Sequence, residues 1–398
     1  MSKDKNLSEI TRALHNGRDP KCHFGAVNTP VYRASTILFE DYKALKTADW
    51  SGKRCWKEGG LTYGRRNTPI TLELADTIRD IEGGDNCFIT CSGVAAISVT
   101  MAAFLSPGDH VLITDSAYTP TKVWAEKYGK RMGIHFSYLP SDITKEELEA
   151  IFTDKIKLVM LEAPGSLSFE IADIPMIAEV AHKHNAVVAI DNTWSAGVHF
   201  KAFEKGCDIS IQAGTKYFVG HSDACFGSIT CKQEFADRIN QTHAIMGQSV
   251  DADTAFLALR GIRTLHIRLK QHEESAIEIA KFLEQHDKVG SVLCPALPSS
   301  PDYTLWKRDF TGACGLFSFV LKDSSEENVE KFVNSLKLFG MGFSWGGFES
   351  LVLPCLSDNL VRSHKGNIKE NELAIRIHVG LEDVNDLKDD LANALEVI

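Results

Sequence analysis

No apolar run in this 398-residue chain approaches the roughly 20 residues that a membrane helix needs, so a helical membrane span is not expected. The start, Met1-Ser2-Lys3-Asp4-Lys5-Asn6, has no apolar signal core behind it, and the expectation is a cytoplasmic protein. Positive charge is in deficit. Lys and Arg number 43 against 53 Asp and Glu, a formal net charge of -10, which argues against a general binder of nucleic acid or anionic membrane. There is no CxxC pair. Ten cysteines are scattered from Cys22 to Cys355; Cys87 and Cys91, or Cys225 and Cys231, are spaced for no zinc site, and plain thiols in a reducing compartment are expected. Internal repeats and low-complexity tracts are also missing.

What remains is an ordinary globular composition, 44% hydrophobic and 24% charged, on a chain too long for one small core. Three parts are expected. Residues 1–67 form an N-terminal arm without a long periodic element, with Val27 to Phe39 extended and a Gly-, Lys- and Trp-rich loop from Trp50 to Gly60. Such a segment cannot bury a core of its own and should lie on another domain or a neighbouring subunit. It ends in Tyr63-Gly64-Arg65, where a phenol and a guanidinium flank one glycine. That pair can clamp an anion, or be a surface loop with idle ion pairs.

Residues 68–260 alternate helix and strand. Thr68 or Thr71 caps a helix through Leu72 to Ile78 that Gly83-Gly84 ends. Short apolar runs at Asn86–Thr90, His110–Thr114, Lys157–Leu161, Ala186–Ile190 and Asp208–Ile211 read as strands. The pattern predicts an α/β fold, a mostly parallel sheet with helices on both faces. Ligands of such sheets sit outside the strands' carboxyl ends. Ser92-Gly93-Val94 opens a small-residue helix there, which suits a phosphate or is a plain cap. Tyr118 follows a strand, either to stack on a planar ligand or to pack. Asp191 stops an all-apolar run, as a helix cap or as a counter-ion for a protonated ring nitrogen.

The stretch Ser210 to Asp223 is central. Small residues Ala213 and Gly214 deliver Thr215 and Lys216 just past a strand. A lysine so placed is a candidate Schiff-base nucleophile if burial lowers its pKa; otherwise it is a solvated loop residue. Phosphate anchor, ring stacker, carboxylate and amine are together what an electron-sink cofactor needs.

Residues 261–398 read as a smaller α+β domain. A helix from Thr264 to His286 precedes strands at Val289–Leu293, Leu316–Leu321 and Ile375–Val379, with helices at Glu326–Leu336 and Val384–Val397. Arg376 lies inside an apolar strand and needs an anion, from the protein or from a substrate. His378 shares its face by strand period and reads as a satisfied core histidine.

Taken together, Tyr63-Gly64-Arg65, Ser92-Gly93-Val94, Ala117-Tyr118, Asp191-Asn192-Thr193, Thr215-Lys216-Tyr217, Gly220-His221-Ser222-Asp223, Arg260-Gly261-Ile262-Arg263-Thr264-Leu265 and Ser344 with Gly346-Gly347 resemble the pyridoxal-phosphate enzymes of cysteine and methionine metabolism. The resemblance runs from about His15 to Leu391. It implies the fold-type I architecture of these enzymes and pyridoxal 5′-phosphate as cofactor. Lys216 would hold the cofactor covalently and move protons at Cα, with Tyr118 stacked on the ring. Asp191 would pair with the ring nitrogen. Gly93 and Val94 N–H groups and the Thr215 hydroxyl would hold the phosphate, and Tyr63 and Arg65 would complete that site from the neighbouring subunit. Ser344, Trp345 and Arg376 would receive the substrate, Arg376 taking its α-carboxylate. No metal is implied.

The chain departs from the family where Ala213 replaces a frequent Ser and Ser166 a frequent Asn, so contacts to the phosphate and to the phenolic oxygen are each put in doubt. Phe343-Ser344-Trp345-Gly346-Gly347 looks like the type that cleaves at Cβ, whereas members acting at Cγ usually show Glu-Ser-Leu-Gly-Gly. The implied reaction is β-elimination of L-cystathionine to L-homocysteine, pyruvate and ammonia, serving methionine biosynthesis, with other cysteine S-conjugates as further substrates. A γ-lyase or γ-synthase, or a non-catalytic cofactor-binding regulator, are the alternatives. The resemblance also implies a homotetramer built of catalytic dimers, with no nucleic-acid or membrane partner.

Overall fold

The computed structural model describes residues 7–48, 60–355, 366–368 and 372–398. The expected loop at Trp50 to Gly60 lies, apart from Gly60, outside the described residues. Strand periodicity organises the larger sheet. Leu158 and Met160 enter one apolar cluster while Val159 and Leu161 enter the other, because successive side chains point to opposite faces. Seven strands carry this pattern: β1 Asn86–Thr90, β2 His110–Thr114, β3 His135–Leu139, β4 Ile156–Glu162, β5 Val187–Asp191, β6 Ile209–Gln212 and β7 Gly227–Cys231. Their order is β1-β7-β6-β5-β4-β2-β3. All pairings are parallel except those of β7, which runs antiparallel to both β1 and β6.

Helices cover both faces. Gly93–Phe104 and Ala236–Ile245 supply one cluster; Pro69–Glu82, Ile174–Lys183 and Ala252–Ile262 supply the other. Residues such as Ile70, Leu74 and Ile78 are fully buried at helical spacing, each worth roughly 1.5–3 kcal/mol of hydrophobic stabilisation. The helix Pro69–Glu82 starts where its sequence signals it: Thr68 and Thr71 form a reciprocal capping box, and Gly83 ends it in the left-handed conformation.

A second sheet holds five strands: β8 Val289–Leu293, β9 Leu316–Leu321, β10 Gly340–Met341, β11 Leu351–Cys355 and β12 Ala374–His378, in the order β10-β11-β12-β9-β8. The fully buried β12 sits between antiparallel β11 and β9. Its Ile375 and Ile377 enter the main apolar cluster, so Arg376 and His378 point to the other face.

The arm is tied down by a buried charge. Arg263 donates to Glu73 at 2.8 Å and to the Ala13 carbonyl, while Thr29 also donates to Glu73. The expected extended run from Val27 to Phe39 forms no strand; it has a single bridge, Thr36 to Tyr63. The expected boundary after residue 260 falls inside the helix Ala252–Ile262.

Candidate active site

The carboxyl ends of the parallel strands line up. Glu162 at the end of β4 is in register with Asp191 at the end of β5, and Asp191 with Ile211 of β6. A cavity of about 260 Å³ opens above them, where the two sheets meet. It is lined by Gly93, Val94, Tyr118, Asp191, Thr215 and Lys216 from the larger sheet's loops, and by Ser344, Trp345 and Arg376 from the smaller. Nine of the expected site residues thus converge on one space.

Lys216 hangs on a tight turn. Its N–H donates to Ala213 O at 3.0 Å, and its carbonyl accepts from Gly220 at 2.8 Å. From behind, the buried Arg268 donates to the carbonyls of Tyr217 and Gly261 at 2.7 and 2.8 Å. The amine lies 2.7 Å from Ser344 Oγ and 5.2 Å from the centre of the Trp345 ring. Burial, joined by repulsion from Arg376, brings its pKa down from 10.5 to about 8. A solvated surface lysine would show none of this, so that alternative is set aside.

Asp191 is 8% exposed, and burial pushes its carboxyl pKa up. Oδ1 accepts from the Thr193 N–H at 3.1 Å and hydroxyl at 2.5 Å. Among the described residues Oδ2 accepts nothing. The carboxylate therefore caps its own turn and still presents one oxygen. Tyr118 leaves its ring in the cavity with no aromatic partner among the described residues, and its N–H donates to Glu162 at 2.6 Å. Burial first, then Asp191 and Glu162, raises its phenol pKa.

The phosphate end is a helix N-terminus. Ser92 caps the helix Gly93–Phe104 by accepting from Ala95 N at 3.1 Å. The N–H groups of Gly93 and Val94 are left without partners among the described residues. A Cβ on Gly93 would stand 2.6 Å from that of Ala213, so the turn closes on the lysine loop only because both residues are small. The Thr215 hydroxyl lies in the cavity but is engaged with Phe226, donating to its carbonyl and accepting from its N–H, both at 3.2 Å. Ser166 also lines the cavity.

Arg376 is 9% exposed and finds no carboxylate among the described residues; its Nη2 donates to Ser344 O at 3.0 Å. A buried guanidinium without an anion is costly unless a ligand supplies one. Tyr63 and Arg65 are not brought to this cavity. Arg65 lines a separate cleft with Arg66, Asn67, Arg79, His243 and Gln248. Sequence reasoning gave no site role to Glu162 and Cys225, which also line the cavity, as does Phe343 of the stretch that carried the Cβ expectation. Position after a strand could have flagged Glu162.

The set fits pyridoxal phosphate: free helix N–H groups for the phosphate, an amine of lowered pKa for the aldehyde, a buried carboxyl for the ring nitrogen and an unpartnered aromatic ring. Comparison with known proteins agrees. The family model described as Cys/Met metabolism PLP-dependent enzyme matches residues 10–396. The chain is 41% identical over 396 residues, 98% of each protein, to Escherichia coli cystathionine beta-lyase MetC. It is 36% identical to an L-alanine/L-glutamate racemase of Wolbachia pipientis, over 98% of this chain and 97% of that one. The crystal structure of metB from Corynebacterium glutamicum superposes with a TM-score of 0.90 at 27% identity, over 98% of both chains. The chain belongs to the Cys/Met metabolism PLP-dependent enzymes, and its cofactor is pyridoxal 5′-phosphate.

Proposed function

We propose that this enzyme cleaves the Cβ–S bond of L-cystathionine, giving L-homocysteine, pyruvate and ammonia. The observation that carries the reading is the pairing, across Ser344 and in one cavity, of a lysine amine and a guanidinium that meets no carboxylate among the described residues. Bound pyridoxal phosphate supplies a conjugated, electron-withdrawing ring beside Cα. Arg376 takes the substrate α-carboxylate as a bidentate pair and fixes which Cα substituent faces the lysine. Lys216 Nζ takes the Cα proton; with its pKa brought down to about 8, roughly one amine in ten is unprotonated at pH 7. Asp191 holds negative charge against the ring nitrogen. Lys216 or Tyr118 protonates the sulfur as it leaves Cβ. The remaining three-carbon unit hydrolyses to pyruvate and ammonia. Trp345 and Phe343 line the same cavity beside Ser344. Tyr63 and Arg65 act in the site of a neighbouring copy, within a tetramer of catalytic dimers.

The deciding experiment identifies the ketoacid released from L-cystathionine. Pyruvate with homocysteine supports cleavage at Cβ. α-Ketobutyrate with cysteine overturns it in favour of cleavage at Cγ. The racemase relative favours a second reading, proton removal and return at Cα without elimination, which the loss of optical rotation from L-alanine tests in the same preparation.

A further inference from the structure

His378 touches neither the amine nor the guanidinium of the site, yet both are held by a turn that this histidine bridges. The turn runs from Ser344 to Glu349. Two of its residues lie in the left-handed region, Ser344 at φ 80° and Gly346 at φ 87°. Serine rarely adopts that conformation without outside support. At the front, Ser344 Oγ meets Lys216 Nζ at 2.7 Å, and Ser344 O accepts from Arg376 at 3.0 Å. Gly346 lies flat on the lysine backbone; a Cβ there would stand 3.0 Å from Lys216 Cα.

At the back, the Gly346 N–H donates to His378 Nε2 at 3.1 Å, and His378 Nδ1 lies 3.1 Å from Glu349 O. An accepting Nε2 requires the proton on Nδ1, so the ring donates to Glu349 O and accepts from Gly346 N at once. The imidazole is fully buried, within 5.2 Å of His272 and 6.1 Å of Tyr217 ring to ring. Burial, aided by His272, keeps it neutral, as the accepting role demands.

We propose that His378 is a positioning residue: by pinning both ends of the Ser344–Glu349 turn it sets where Ser344 meets Lys216 and Arg376, and so how tightly the α-carboxylate of an amino acid is bound. Without the acceptor, the buried Gly346 N–H has no partner and the turn must move to find one. The front of the turn then moves with the back.

The test uses holoenzyme and L-alanine, an amino acid with no leaving group at Cβ, so it does not depend on which sulfur substrate the enzyme takes. The dissociation constant of L-alanine is read from the change in cofactor absorbance. His378→Phe and the smaller His378→Leu lack the acceptor; His378→Gln keeps a carbonyl oxygen within reach of Gly346. The expected result is an L-alanine Kd raised tenfold or more in Phe and Leu and within threefold of the parent in Gln, with cofactor content unchanged. Parent-like L-alanine binding by Phe or Leu overturns the proposal, whatever happens to melting temperature. So does a Gln variant as weak as Phe, which would assign the effect to ring packing. If neither Phe nor Leu folds, Gln decides: binding within threefold of the parent supports the proposal and a tenfold loss overturns it. Turnover of L-cystathionine is measured alongside; failure of that reaction in the parent bears on the substrate assignment alone.

Discussion

The lowered pKa of Lys216 makes a quantitative claim about how the enzyme acquires its cofactor. At pH 7.5 a lysine with the ordinary value of 10.5 keeps about one amine in a thousand unprotonated, whereas a value of about 8 leaves about one in four. The gain in nucleophile is on the order of 200-fold, since only the free amine attacks an aldehyde. Mixing cofactor-free protein with pyridoxal phosphate and following absorbance gives the rate of attachment. That rate should climb about tenfold per pH unit and level off near 8. Arg376→Gln removes a repelling cation, lets Lys216 keep its proton to higher pH, and should move the plateau upward. The same shift acts on stability. The folded pKa lies below the unfolded one, so between about 8 and 10.5 the unfolded chain holds a proton that the folded chain lacks. Cofactor-free protein should therefore gain stability as pH rises through that window, by at most about 3 kcal/mol from this group. A rate still rising tenfold per unit at pH 9.5, about 1.5 units beyond the expected plateau, would refute the reasoning.

Other consequences are as direct. Asp191→Asn should lower kcat by roughly 10²–10³ while retaining cofactor, as steady-state kinetics and absorbance would show. Gly93→Ala forces a Cβ to within 2.6 Å of Ala213; a fall of about 1–3 kcal/mol in stability and weaker cofactor binding are expected, read from urea melts and a cofactor titration. Lys216→Ala should abolish nearly all turnover, and pyruvate release at the parent rate would show that the lysine is not the base. Arg263→Ala strands the buried Glu73 carboxylate and should cost about 3–5 kcal/mol, measured by the urea midpoint.

Much of this was legible from local chemistry. The cap at Thr68 and the stop at Gly83 were written in residue types whose roles are local. So were β2, β8 and β9, apolar runs bounded by turn residues that the structure reproduces to the residue. Among the described residues four strands escaped, β3, β7, β10 and β11, and for two of them the cause is plain. β7 reads Gly-Ser-Ile-Thr-Cys, with small and polar residues, and becomes a strand because β1 and β6 pair with it on both sides. β11 carries Pro354, which argues against a strand until the partner's geometry is known. In the site, Lys216, Asp191 and Tyr118 announced themselves by following strands. The approach of Ser344 to Lys216 joins residues 128 apart in sequence and left no local trace. The same holds for His378, whose alternation with Arg376 indicated a shared face and nothing of the turn it bridges.

Lys216 and Asp191 stand at the strand ends of the seven-stranded sheet and Arg376 in the five-stranded one; across the cavity Lys216 meets Ser344 and Trp345, and Ser344 meets Arg376. An amino acid held by its carboxylate at Arg376 and by its nitrogen near Lys216 is thus a tie rod between the two halves. Occupancy should restrain their relative motion, so that backbone amides of β12 exchange with deuterium more slowly in saturating L-alanine than without it. In that sense the substrate is a temporary structural member of the enzyme, removed each time the reaction severs it.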